Sequence, residues 1–138
     1  MFLMYFWSWE FFEKVLKIIM FRNQKNIFSI SLHYIKHLNR RNRTMLVHHG
    51  RLGSVHNFSP ICSHQNISNY VDSYLIDCRN HGSSPHTETH TMQNLADDLY
   101  DFIKEQQKTC KDSNWKKITL MGHSMGGIAL MEFTRKYP

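Results

Sequence analysis

Gly122-His123-Ser124-Met125-Gly126 sets one serine hydroxyl between two glycines, and Gly127 follows. Ile118 to Met121 before it is a short apolar run, and Met125 to Tyr137 after it reads as a helix with Pro138 at its end. A G-x-S-x-G between strand and helix is the arrangement that lifts a serine nucleophile clear of a sheet. The spacing has a steric cause. A strand that turns sharply into a helix brings the residues two before and two after the serine together, so both must be very small, as Gly122 and Gly126 are. The turn also puts Ser124 at a helix N-terminus, where free N–H groups and the helix dipole favour developing negative charge. A phosphate-binding glycine loop is the competing chemistry. The spacing is not G-x-G-x-x-G, and no Gly-Lys-Ser/Thr follows.

Two upstream segments agree with the nucleophile reading. His49-Gly50-Arg51-Leu52-Gly53-Ser54 leaves an apolar run and can supply a second oxyanion N–H, from Arg51, beside the N–H of Met125. Alone, it is a simple turn. Asp77-Cys78-Arg79-Asn80-His81-Gly82-Ser83-Ser84-Pro85 is, alone, a polar loop.

The elements that must position these residues follow from periodicity. Phe28, Ile30, Leu32 and Tyr34 alternate with polar neighbours and predict a strand over 26–34. Residues 36–43 suit a turn. Thr44 to His48, Ser73 to Asp77 and Ile118 to Met121 read as three further strands, and 57–67 as a short helix. Met92, Leu95, Ala96, Leu99, Phe102 and Ile103 recur at helical spacing, with Thr91 as N-cap. Asp97, Asp98, Asp101, Lys104 and Glu105 fall mainly on the opposite side, and 111–114 is a polar break. Strands alternating with helices predict an α/β protein with a largely parallel sheet.

The order His-Gly loop, Asp-x-Arg-Asn-His-Gly-x-Ser-Pro, amphipathic helix, Gly-His-Ser-Met-Gly-Gly resembles the α/β-hydrolase superfamily. The Arg79-Asn80-His81-Gly82 form is similar to a subgroup of small acyl-ester hydrolases. The resemblance runs from about Phe28 to Pro138 and implies a mostly parallel sheet with flanking helices. It implies an acyl-enzyme route on a carboxylic ester or thioester, with Ser124 as nucleophile and the N–H groups of Arg51 and Met125 as oxyanion hole. Gly122, His123, Gly126, Gly127, His49 and Gly50 would support the elbow and its loop, and His81 would be structural. Two positions depart from the family pattern: Arg51 and His48 stand where apolar residues are usual.

The triad order in this fold is Ser, then Asp or Glu, then His. Fourteen residues follow Ser124, with Glu132 inside the elbow helix and no histidine. The expectation is therefore the N-terminal half of the fold, ending after the elbow helix and inactive by itself, because a serine without a general base is a weak nucleophile. Ile118 to Met121 would then form an open apolar edge suited to self-association. The alternative is a catalytically inactive chain with an interaction or membrane role.

Composition sets outer bounds. The 138 residues are 41% hydrophobic and 20% charged, enough for one globular domain. We divide them into an apolar N-terminal segment, 1–25, and a partial hydrolase domain, 26–138. Glu10, Glu13, Lys14 and Lys17 share one helical face, leaving a wide aromatic face. Three readings stay open for 2–21: peripheral membrane contact, part of a mitochondrial presequence, or an ordinary packed helix. Mitochondrial and cytoplasmic locations are both compatible. The net charge of +6 comes mostly from an acid-free stretch between Lys14 and Val71, but no nucleic-acid motif accompanies it. Three scattered cysteines give neither a disulfide framework nor a metal pattern, and nothing calls for a cofactor.

Overall fold

The computed structural model describes residues 30–110 and 115–138. The N-terminal segment, including the expected membrane-contact residues 2–21, and the polar break at 111–114 lie outside the described residues. Four strands form one mixed sheet in the order β1-β3-β2-β4: β1 Tyr34–His37, β2 Thr44–His48, β3 Asp72–Ile76 and β4 Ile118–Gly122. β2 pairs in parallel with both β3 and β4, while β1 runs antiparallel to β3.

Of the strand expected over 26–34, residues 26–29 lie outside the described residues, and the described part is corrected. Residues 30–33 are not strand, and β1 starts at Tyr34. The cause lies in its partner. Tyr34 pairs with Ile76, the last residue of β3, after which the partner chain bends away. His33 instead bonds the departing loop, with its N–H donating to Ser84 Oγ (2.8 Å) and its carbonyl accepting from Asp77 N–H (2.9 Å). Lys36 and His37, read as turn, belong to β1, which is paired on one side only among the described residues, a setting that tolerates such polar residues.

One helix expected over 57–67 is three short pieces: a 3₁₀ turn Val55–Asn57, α1 Ser59–Ser63 and α2 Gln65–Ser68. α3 spans Met92–Thr109 and α4 spans Met125–Lys136. Thr91 caps α3 as expected, in a reciprocal box with Asn94.

Each sheet face has its own core. Leu46, Tyr74 and Ile76 pack against Leu95, Leu99 and Phe102 of α3 and Ala129 and Leu130 of α4. On the other face Val47 and Leu75 meet Val55 and Cys62. Alternation along β2 and β3 serves both layers, which is why these strands are buried nearly throughout. β4 is bonded to β2 on one side only among the described residues, and its residues are half-buried or exposed.

Candidate active site

Three connections meet at the carboxyl ends of β2, β3 and β4, the region where open α/β sheets carry ligands. The connection after β4 is the shortest. His123 and Ser124 alone separate β4 from α4. Ser124 adopts φ 52° and ψ −117°, a left-handed φ that a side chain rarely occupies. Such strain costs about 1–3 kcal/mol and persists only where the surroundings impose it. Here they do. His123 N–H donates to His48 O (3.1 Å), tying the turn to the end of β2, and Gly126 N–H donates to His123 O (2.9 Å). A Cβ on Gly122 would lie 2.7 Å from the backbone of Gly126 and Gly127. Gly126 packs against the His48 and His49 carbonyls, so neither glycine has room for a side chain. Ser124 is exposed and its hydroxyl does not cap α4.

The connection after β2 begins with two buried histidines. His48 donates Nδ1–H to His49 O (2.9 Å). His49 Nε2 accepts the N–H of Cys78 (3.1 Å), so its proton sits on Nδ1, which donates to Gly50 O (2.7 Å). Burial holds the basicity of His49 below the ordinary histidine value, against the bond to Gly50. Burial also lowers His48, to about 4. Both are therefore neutral at pH 7, and the imidazole of His49 splices two loops together. Gly50 lies under His123, whose ring would be 2.6 Å from an added Cβ. Arg51 and Leu52 then stand exposed in a turn closed by Gly53 N–H to Gly50 O (3.0 Å).

The connection after β3 is held by two buried carboxylates. Asp77 accepts from Val55 N–H (2.7 Å), Ser83 N–H (2.9 Å) and His33 Nδ1 (2.8 Å). Burial opposes its charge, but these bonds win and hold the carboxyl below the usual aspartate range. Asp77 thus joins the chain before β1, the turn after Arg51 and the loop after β3. Arg79 forms a two-pronged pair with Asp98, Nε to Oδ2 at 2.7 Å and Nη2 to Oδ1 at 2.6 Å. Its remaining nitrogen reaches Thr89. The hydrogen bonds it donates to Asp98 hold this guanidinium charged despite burial.

The sequence reading placed Asp98 on the outer side of its helix. It is buried, three residues after Leu95 and four before Phe102. That spacing was the available signal, and the Arg79 partner explains why an acid is tolerated there. His90, just before α3, turns its Nε2 to Met125 Sδ (3.5 Å), its ring lies 5.4 Å from that of His81, and its Nδ1 is buried with no partner among the described residues.

Arg51, Asn80, His81, His90, Ser124 and Met125 line one open cleft of about 650 Å³. Of the expected site residues, Ser124, Arg51 and Met125 therefore share a surface, with the glycines, His49 and His123 behind or beside it. Among the described residues no group of three or more His, Cys, Asp or Glu side chains is placed to hold a metal ion.

A family model described as the alpha/beta hydrolase fold matches residues 43–138. Ethanol acetyltransferase 1 of Wickerhamomyces anomalus is 38% identical over 85 residues, which are 60% of this chain and 19% of that protein. An Escherichia coli esterase is 33% identical over 93 residues, 67% of this chain and 33% of the relative. Among solved structures, a marine microorganism esterase superposes with a TM-score of 0.70 at 34% identity, covering 80% of this chain and 38% of that one. The chain spans about a fifth to a third of the length of these two curated relatives.

Proposed function

Because the chain belongs to the alpha/beta hydrolase fold family, we propose that it carries the nucleophile half of a serine acyl-transfer site acting on a carboxylic ester or thioester. Ser124 Oγ attacks the acyl carbon while a general base takes its proton. The carbonyl oxygen gains the negative charge and receives the N–H groups of Arg51 and Met125. Collapse expels the alcohol or thiol, which leaves with a proton and an acyl-Ser124 ester behind. A second nucleophile then releases the acyl group by the reverse sequence.

The single observation that carries this reading is the backbone of Ser124. A left-handed φ between two glycines that admit no Cβ has no packing purpose, but it exposes the hydroxyl at the start of a 12-residue helix. Met125 opens that helix, so its N–H has no carbonyl one turn behind it.

The identity of the second nucleophile divides two readings. With water the reaction is hydrolysis, as the names of the esterase relatives suggest. With an alcohol it is ester synthesis, favoured by the yeast acetyltransferase relative. Product analysis of an acetyl thioester incubated with and without ethanol separates them. For the shared first half, the full-length protein should turn over 4-nitrophenyl acetate, and Ser124→Ala should lower kcat about 10,000-fold or more. Turnover that survives the substitution overturns the role of Ser124. The proposal of an inactive chain with an interaction role predicts no turnover in either protein. It would rest on the side of β4 that is unpaired among the described residues joining another chain, which sedimentation at rising concentration would detect.

A further inference from the structure

The cleft beside Ser124 carries charge of one sign. Arg51 lines it with His81 and His90, and no Asp or Glu is among its described lining residues. Glu88, in the loop after β3, lines a different pocket, and the two buried carboxylates that hold the loops are already committed. Asp77 is held by His33 and two backbone N–H groups, and Asp98 by Arg79. Arg51 itself is exposed and has no ion pair among the described residues. Its charge is felt across the cleft. His90 resists protonation first through burial and then through the positive fields of His81, Arg79 and Arg51. A guanidinium left unpaired in a concave site has two parallel N–H donors to offer, which match the oxygens of a carboxylate or phosphate.

The position of Arg51 makes this specific. It belongs to the loop whose N–H is proposed for the oxyanion, so its side chain starts a few bonds from the reacting carbonyl. A neutral substrate would leave that charge unused and partly desolvated. An anionic substituent close to the ester would pair with it.

We infer that Arg51 selects acyl esters or thioesters bearing a carboxylate or phosphate a few bonds from the reacting carbonyl. The inference rests on the proposed role of Ser124 and concerns the substrate class of that same site. The anion can lie on the acyl side or on the alcohol side, and two substrate pairs tell these apart. 4-Nitrophenyl hydrogen succinate against its methyl ester tests the acyl side. 2-Acetoxyethyl phosphate against 2-methoxyethyl acetate tests the alcohol side.

The reading is the ratio of kcat/KM within each pair for the full-length protein, which cancels any effect of a variant on the oxyanion N–H. A charge-assisted hydrogen bond predicts a preference of about 10-fold or more for the anionic member of one pair. Arg51→Met should bring that ratio to about one, Arg51→Lys should retain part of it, and high salt should reduce it. Ratios near one in both pairs for the unaltered protein overturn the inference. So does a ratio that persists in Arg51→Met. Turnover of all four esters by Ser124→Ala instead overturns the nucleophile on which it rests, whatever the Arg51 ratios are.

Discussion

A Cβ built on Gly126 would stand 2.5 Å from the carbonyl oxygen of His49. The first turn of α4 is thereby seated on the start of the loop that presents Arg51. The two N–H groups proposed for the oxyanion come from segments far apart in sequence, and a contact this rigid between them would hold their separation fixed.

Gly126→Ala should therefore damage the site and the fold together. Overpacking against backbone cannot be relieved by a rotamer change, and the expected loss of stability is about 1–3 kcal/mol. Urea unfolding would show it as a lower midpoint with an unchanged slope. Gly127→Ala should be mild, because the nearest atom to its added Cβ would be the Gly122 carbonyl oxygen at 3.4 Å.

The buried histidines predict an acid-sensitive window. The unfolded chain takes up a proton on His48 near pH 6.5, whereas in the folded chain burial defers it to about 4. Above that window both states are neutral at this site and it has no effect. As pH falls through the window the unfolded state binds more protons, so stability declines by about 3 kcal/mol for this residue and then levels. His49 acts in the same direction. Urea midpoints at about pH 7 and about pH 4.5 should differ markedly in the unaltered protein and less in His48→Gln. An unchanged midpoint between the two would contradict the burial of a neutral imidazole.

Asp98→Ala should cost about 3–5 kcal/mol, because it strands the Arg79 guanidinium in the interior. The double variant Arg79→Met, Asp98→Leu should recover much of that loss, since no charge is then left unpaired. A thermal-melt series over the three proteins checks the order. If Asp98→Ala melts with the unaltered protein, the pair contributes nothing.

Ser124→Gly should remove activity and raise stability. Glycine occupies φ 52° without strain, and relief of that strain outweighs its extra freedom in the unfolded chain by about 1 kcal/mol. A higher melting temperature than that of Ser124→Ala is the expected result.

Much of this arrangement was legible in the sequence where local pattern decides. The elbow was readable because its glycine spacing records a collision between its own residues. α3 was readable from its apolar spacing and the Thr91 cap. What escaped was decided by partners distant in sequence. The apolar alternation of Ile30, Leu32 and Tyr34 did mark residues that meet the core. It did not reveal that β3 ends opposite Tyr34, which keeps residues 30–33 from pairing as strand. Asp77 and Asp98 looked like ordinary polar positions. Their roles depend on His33, Val55 and Ser83 in one case and Arg79 in the other.

The most direct test of the account is covalent. The full-length protein would be treated with a fluorophosphonate, and its intact mass and peptide map recorded. One adduct, on Ser124 and lost in Ser124→Ala, is the predicted result. No adduct, or an adduct on another residue that persists in Ser124→Ala, would contradict the claim that this strained serine is the nucleophile.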